Sequence, residues 1–336
     1  MKKLTALLMV LLCAVSFAFA NGQTESTAAN GEKVYKIGIS KFLAHAALDA
    51  SEQGFVDYLN STGLNIVYDY QNAQGDISTT ATIAQKFKDD GVDLAYGIAT
   101  PTAQALANAL PYTPVVFAAV TDPVEAGLVE SWEGSSDVLV CGTSDSSPVE
   151  AQIKLLADLT GAKVIGNVYN SSEANATVQQ ALMKEACANL GLQFVSAAIT
   201  NSSEVRQATQ SIIDRVDAIY IATDNAVISA LASVDDVTTA AGKPVLAGDT
   251  SNVPGLNIML AWGFDYYAIG VSAGKQAEAI LKGANAGELG SIVLSDPADF
   301  ELWINLDTAK SLGISIPQEQ IDAATVITEN GVETRK

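Results

Sequence analysis

Three short segments of this sequence share one chemical build. Thr100-Pro101-Thr102, Thr121-Asp122-Pro123 and Thr223-Asp224-Asn225 each follow directly on an apolar, β-rich run. Each supplies a capping hydroxyl or carboxylate, and two place Pro at or near the first helical position. Helix capping alone accounts for any one of them. Their combination allows more. A helix opening after Thr100-Pro101 presents free backbone N–H groups and the positive end of its dipole, a seat for a carboxylate. Asp122 or Asp224 would repel a carboxylate and hold an ammonium. Both together suit a zwitterion, which means an amino acid, and Asn170 and Asn225 add amide groups to orient it.

A fourth segment, Tyr169-Asn170-Ser171-Ser172-Glu173-Ala174-Asn175, also joins a strand to a helix. Ser172 and Glu173 fit either an N-cap with first-turn acidic company or contacts to a ligand. His45, the one histidine, lies in the loop after the first strand within Phe42-Leu43-Ala44-His45. An imidazole there either packs at the surface or donates to a ligand carboxylate. Phe42, Tyr96, Tyr169 and Trp262 stand in or near strand ends, where they would wall an apolar pocket or join the core.

Motifs for covalent chemistry fail on inspection. Gly270-Val271-Ser272-Ala273-Gly274 matches G-x-S-x-G, but that arrangement needs a histidine downstream of the serine, and His45 lies far upstream. Gly274-Lys275 lacks the phosphate-loop spacing and the following Ser or Thr. There is no G-x-G-x-x-G and no C-x-x-C, and one histidine is too few for a transition-metal site. The expectation is a binding protein that is not an enzyme, with no catalytic residue, no metal and no cofactor.

The elements that must position these loops alternate between short β-rich runs and amphipathic helices, the pattern of parallel α/β sheets. Strands are expected at 35–40, 65–70, 94–99, 114–120 and 138–143, with helices over 47–62, 79–90 and 102–110. Gly63, Gly91 and Pro111 close those helices. After the Ser144–Pro148 break the series runs again. Strands are expected at 163–169, 194–199, 218–222, 244–247 and 257–262, with helices over 174–189, 204–214 and 226–241. A tail follows with a helix at 267–283, a strand at 301–305 and a short helix at 308–312. The fold expected is α/β, two Rossmann-like lobes with parallel sheets joined by a hinge that the chain crosses more than once. The N-terminal lobe would take 33–144 plus about 265–288, and the C-terminal lobe 145–264 plus about 289–336. Ligands of such sheets bind beyond the C-terminal strand ends, here between the lobes.

The chain's first residues and its composition narrow the setting. Lys2 and Lys3, the apolar run from Leu4 to Val15 and Ala18-Phe19-Ala20 read as an export signal cleaved near Ala20. Residues 21–32 read as a flexible tether. Bulky Leu12 before Cys13 is a poor lipidation signal, so the mature protein is expected free in the periplasm or outside the cell. A formal charge of −20 opposes nucleic-acid binding, which needs clustered Lys and Arg. Cys141 and Cys187 remain after processing, and spacing alone leaves their pairing open.

The loops together resemble a known family, the ABC-transporter substrate-binding proteins related to tryptophan/tyrosine-binding proteins. The matching residues are His45–Asp49, Ala73-Gln74-Gly75-Asp76, Ala99–Ala105, Val120–Val124, Tyr169–Asn175, Thr223-Asp224-Asn225 and Leu302–Asn305. The resemblance runs from about Val34 to Ala324. It implies a type I periplasmic-binding-protein fold whose lobes close on a ligand, with aromatic amino acids among the family's ligands. It also places Thr100, Thr102, Thr121, Asp122, Tyr169, Asn170, Glu173, Asp224 and Asn225 around the cleft. The implied partners are an ABC permease and its cytoplasmic ATPase, the protein itself being a monomer. The family's first-loop motif has Pro after His, where this chain has Ala46, and many relatives are lipoproteins. Two rival readings remain at this level: the binding component of a sensory system without transport, and an exported hydrolase.

Overall fold

The structure, a computed structural model, describes residues 33–336. The expected signal segment, the tether and Cys13 lie outside the described residues. The first unit runs β1 (Tyr35–Lys41), α1 (Ala46–Ser61), β2 (Ile66–Asn72), α2 (Ile77–Asp90), β3 (Leu94–Ile98), α3 (Thr100–Ala109), β4 (Val115–Ala118) and β5 (Val140–Ser144). The second runs α4 (Val149–Thr160), β6 (Val164–Asn170), α5 (Ala174–Asn189), β7 (Gln193–Ile199), α6 (Val205–Ile212), β8 (Ala218–Ile221), α7 (Asn225–Ser229), α8 (Leu231–Ala241), β9 (Val245–Ala247) and β10 (Leu260–Phe264). The tail adds α9 (Tyr266–Leu281), β11 (Ser291–Val293), β12 (Phe300–Asn305), α10 (Leu306–Ser311), α11 (Gln318–Ala323), β13 (Val326–Glu329) and β14 (Val332–Arg335).

Local chemistry explains the boundaries. Gly91, Gly161 and Gly242 end α2, α4 and α8 in the left-handed conformation, which only glycine adopts without cost. The Asp76 and Asp265 carboxylates accept first-turn N–H groups at the starts of α2 and α9. The central strands β3 and β8 are buried at every position, as strands covered by helices on both faces must be.

The first sheet has the order β11-β5-β4-β3-β1-β2, and the second β14-β13-β12-β10-β9-β8-β6-β7. Both therefore contain the doubly wound order 2-1-3-4-5, read as β2-β1-β3-β4-β5 and as β7-β6-β8-β9-β10. In such sheets the ligand crevice lies where the winding reverses, between β1 and β3 and between β6 and β8. Every pair within these ten strands is parallel, with registers such as Ile39 opposite Tyr96 and Ile165 opposite Ala218.

The chain passes between the sheets three times: after β5, after β10 and after β11. On the second passage α9 returns to the first unit. Tyr35 and Tyr58 hydroxyls donate to Leu281 O and Glu278, and Thr143 donates to Ser272. The axes of α1 and α9 approach so closely that a Cβ on Gly54 would stand 2.2 Å from Tyr267 O, and one on Gly270 would stand 2.0 Å from Ser51 O. The G-x-S-x-G match is thus a packing seam inside a helix. Phe55 of α1 is fully buried and stacks on Tyr96 with ring centroids 3.8 Å apart. Burial of one such ring contributes about 1.5–3 kcal/mol.

Several expectations are corrected. Ser291–Val293, assigned by sequence to the C-terminal lobe, pairs parallel to β5 in the first sheet. Its backbone is captured there: Ser291 N–H donates to Trp132 O, and Gln276 of α9 donates to Gly290 O. The helix expected over 226–241 is two helices, broken at Ala230. The β13–β14 hairpin and α4 are additions to the expected elements, and the hairpin turn is fixed at a distance by Asp307, which accepts the N–H groups of Asn330 and Gly331. Cys141 in β5 and Cys187 in α5 are both buried and free.

Candidate functional site

The strand ends of both sheets meet at one narrow cavity of only about 10 Å³, its lining residues standing close together. His45, Leu48, Ala119 and Tyr266 line it from the first unit and α9, and Asp145 from the first crossing between sheets. Asn175, Thr223, Asp224, Asn225, Ile228 and Asp249 line it from the second unit. Three carboxylates therefore face one small cavity whose lining has no Lys or Arg.

Each carboxylate is held by donors on its outer side. Asp145 accepts from the Thr121 hydroxyl at 3.1 Å and the Tyr266 hydroxyl at 2.9 Å. Asp224 is the N-cap of α7, accepting from Val227 N–H at 3.1 Å and from Asn170 N–H, at the end of β6, at 2.6 Å. Asp249 accepts from Ser251 N–H at 2.6 Å and Asn252 Nδ2 at 3.1 Å. Behind Asp224 sits Glu173, buried and accepting from Asn170 Nδ2, Asn225 Nδ2 and Ala226 N–H. These bonds orient the carboxylates and leave further lone pairs for the cavity.

Burial dominates the electrostatics. It pushes the Asp145 carboxyl up to about 6, against the pull of its Tyr266 and Thr121 hydrogen bonds. Asp224 is raised by burial and then by the neighbouring Glu173 charge. Glu173 is raised by burial, with its asparagine donors opposing. Asp249 is raised by burial and pulled back down by His45. The His45 ring is lowered by burial, with Asp249 opposing, and neither of its nitrogens has a hydrogen-bond partner. The site is thus electronegative and short of cations.

The structure brings together some of the residues named from sequence and separates others. His45, Asp224 and Asn225 line the cavity. Asn170 and Glu173 support Asp224 and Asn225 from behind, and Thr121 supports Asp145. Thr100 is buried at the start of α3 with its hydroxyl unpartnered. The Thr102 and Ser40 hydroxyls lie 2.5 Å apart, bonded to each other. Asp122 spends its carboxylate on the turn it begins, accepting from Val124 and Glu125 N–H groups, and is absent from the lining. Phe42 is buried in the first core, Tyr169 is half-buried on β6 and Ser172 is exposed, none of them lining the cavity.

Sequence reasoning missed Asp145, Asp249, Tyr266 and Asn175 as site residues. Asp249 follows β9 by the same strand-end rule that found Asp224. Two non-glycine residues with positive φ mark the same strand ends: Ala99 at φ 82 after β3 and Ala119 at φ 54 after β4. Backbone strain of this kind collects at functional sites. Among the described residues, no group of three or more His, Cys, Asp and Glu side chains is placed to hold a metal ion.

Doubly wound paired sheets, three crossings and a polar cavity between the strand ends define a two-lobed binding-protein fold. A family model described as ABC transporter substrate binding protein matches residues 36–327. The chain belongs to that family. A tyrosine-binding protein of Clostridioides difficile (strain R20291) is 37% identical over 298 residues, 87% of this chain and 85% of the relative. A conserved domain protein from Vibrio cholerae superposes with a TM-score of 0.84 at 39% identity, covering 88% of this chain and 100% of that one. A Streptococcus pneumonia ABC domain in complex with L-Trp gives 0.83 at 32% identity, with the same coverage. The ligand-free, open structure of a substrate binding protein with adhesive properties from Clostridium difficile gives only 0.64 at 38% identity, over 84% and 96%. A leucine binding protein from Thermotoga maritima, 14% identical with a TM-score of 0.61, shares the type I periplasmic-binding fold.

Proposed function

We propose that this protein captures an amino acid of the aromatic class in the cleft between its lobes and delivers it to an ABC importer. The observation that carries this reading is the ring of Asp145, Asp224 and Asp249, drawn from both sides of the cleft around one small cavity without a lining Lys or Arg. Three buried carboxylates, each raised chiefly by burial, call for a cationic group. An α-ammonium supplies it. The ligand's own carboxylate would then be met by His45 and by the start of α3, where Thr100 keeps an unpartnered hydroxyl.

The names of the relatives agree with this chemistry: one is a tyrosine-binding protein, another was solved with L-Trp. The lobe arrangement also supports it. Superposition is better on the L-Trp complex than on the open, ligand-free structure, although the latter is the more similar in sequence. We therefore read this conformation as the closed one, with 33–144 and 265–293 forming one lobe and most of the rest the other. Closure is driven by ligand only if the ligand binds the closed state better than the open one, and cross-cleft carboxylates awaiting a cation meet that condition. The permease and ATPase partners, extracytoplasmic delivery and a monomeric state belong to the same proposal.

A thermal-shift screen tests it. At ligand about 100 times its dissociation constant, binding adds roughly 2.7 kcal/mol of stability. L-Trp, L-Tyr or L-Phe should raise the melting temperature. Silence from every amino acid together with a response to sugars or nucleosides contradicts the reading.

A further inference from the structure

Glu173 is the N-cap residue of α5, yet its side chain makes no capping bond to that helix. It turns inward and is 1% exposed. Its Oε1 accepts from Asn170 Nδ2 at 2.9 Å and from Ala226 N–H at 3.3 Å, and its Oε2 accepts from Asn225 Nδ2 at 2.5 Å. One carboxylate thus ties together the end of β6, the start of α5 and the loop that opens α7. Asn170 also serves the neighbouring carboxylate, its N–H donating to Asp224 at 2.6 Å. Two buried acids therefore share one residue as donor, and no Lys or Arg lines the cavity in front of them. A carboxylate only accepts, so Asn225 must turn its NH₂ toward Glu173. That leaves the Asn225 Oδ1 directed away from Glu173, on a residue that lines the cavity. The three N–H donors favour the charged form of Glu173, and its charge then acts on Asp224, which burial already pushes up.

We infer that Glu173 is a positioning residue for ligand capture, absent from the cavity lining itself and acting through the orientation of Asn225 and the charge of Asp224. The inference rests on the amino-acid reading above and names the residue that prepares one wall of that site. Two adjacent anions without a cation are costly to bury, so the ligand-free pair keeps one charge, with the proton on Asp224. An arriving ammonium replaces that proton, which leaves to solvent. Capture at this pair is thus an exchange of one proton for one cation. The other titratable groups facing the pair are His45 at the start of α1, Asp145 in the first crossing, Asp249 after β9 and Tyr266 on α9. Asp145 and Asp249 favour an ammonium when ionised, as Asp224 does. His45 has the opposite sign, because an imidazolium would hold the ligand carboxylate and is lost as pH rises.

Calorimetric titration of the full chain with L-Tyr and with L-Trp, at steps between about pH 5 and about pH 8, tests this. In the unaltered protein, affinity should tighten as pH rises, by up to about tenfold per unit for each proton released. Glu173→Gln removes the charge, so the step belonging to Asp224 should move down by about one pH unit or more. Glu173→Asp keeps the charge and loses the reach to Asn225. Its step should stay in place while affinity near pH 8 falls roughly tenfold. An unmoved step in Glu173→Gln, whatever its affinity, marks a merely structural residue and overturns the inference. An equal shift in both variants assigns the effect to geometry and overturns the role of the charge. Should Glu173→Gln not fold, Asp224→Asn decides: the step should vanish, and an unchanged profile overturns the inference. Binding that is flat or weakens with rising pH in the unaltered protein overturns it too, leaving amino-acid binding intact. Absence of binding by both compounds at every pH overturns the functional reading and this inference with it.

Discussion

Asp145 is the carboxylate whose burial has the clearest consequence in solution. Its two partners are neutral hydroxyls, and burial lifts it to about 6. The folded protein therefore binds a proton there more readily than the unfolded chain, whose aspartates titrate near 3.9. Its contribution to stability is full below about pH 4 and is lost as pH rises through about 6. An arriving ammonium favours the charged carboxylate. Amino-acid binding at pH 6 should thus release protons, read by calorimetry in two buffers of different ionisation enthalpy. Proton uptake would show that another group controls the site. Asp145→Asn should weaken binding by on the order of tenfold or more while holding or raising the melting temperature at pH 7.5, because it removes a buried charge. Asp224 is a less clean probe, since its loss also uncaps α7, at a cost of about 0.5–2 kcal/mol.

At the level of elements, the seam between α1 and α9 carries the most specific expectation. Gly270→Ala forces a methyl group against Ser51 O, a backbone atom that cannot swing away. The variant should lose about 1–3 kcal/mol or more, seen as a lower midpoint in urea unfolding with the fold unchanged. An unaltered midpoint would mean that the helices part easily. This seam was invisible in the sequence, where Gly270 and Gly274 read only as a failed catalytic motif. Much else was legible. The strand-and-helix alternation located all ten strands of the two doubly wound units, and the strand-end rule named His45, Asp224 and Asn225, which line the cavity, and Asn170 and Glu173, which stand behind it. Asp249 and Asp145 escaped it because no regular helix follows directly on β9, and because 144–148 reads as mere punctuation. Their place in one cavity depends on two distant halves of the chain meeting, and no local pattern encodes that. The same holds for β11, whose three residues acquire a partner only from β5.

Over the whole molecule, ligand binding and lobe closure are proposed to be one event. Ala46 N–H, of the first unit, donates to Asn252 Oδ1, of the second, at 3.3 Å, beside His45 and Asp249. Asn252→Ala should favour the open state and weaken ligand affinity by a few-fold, with small-angle scattering showing a larger radius of gyration for the ligand-free protein. An unchanged radius and affinity would mean that this contact does not bias closure. The most direct measurement is a crystal structure of the protein grown with L-Tyr or L-Trp. The predicted result is one amino acid enclosed between the lobes, its ammonium within hydrogen-bond distance of at least one of Asp145, Asp224 and Asp249. An amino acid bound outside that cleft, or inside it with its carboxylate turned to the three aspartates, would contradict the account.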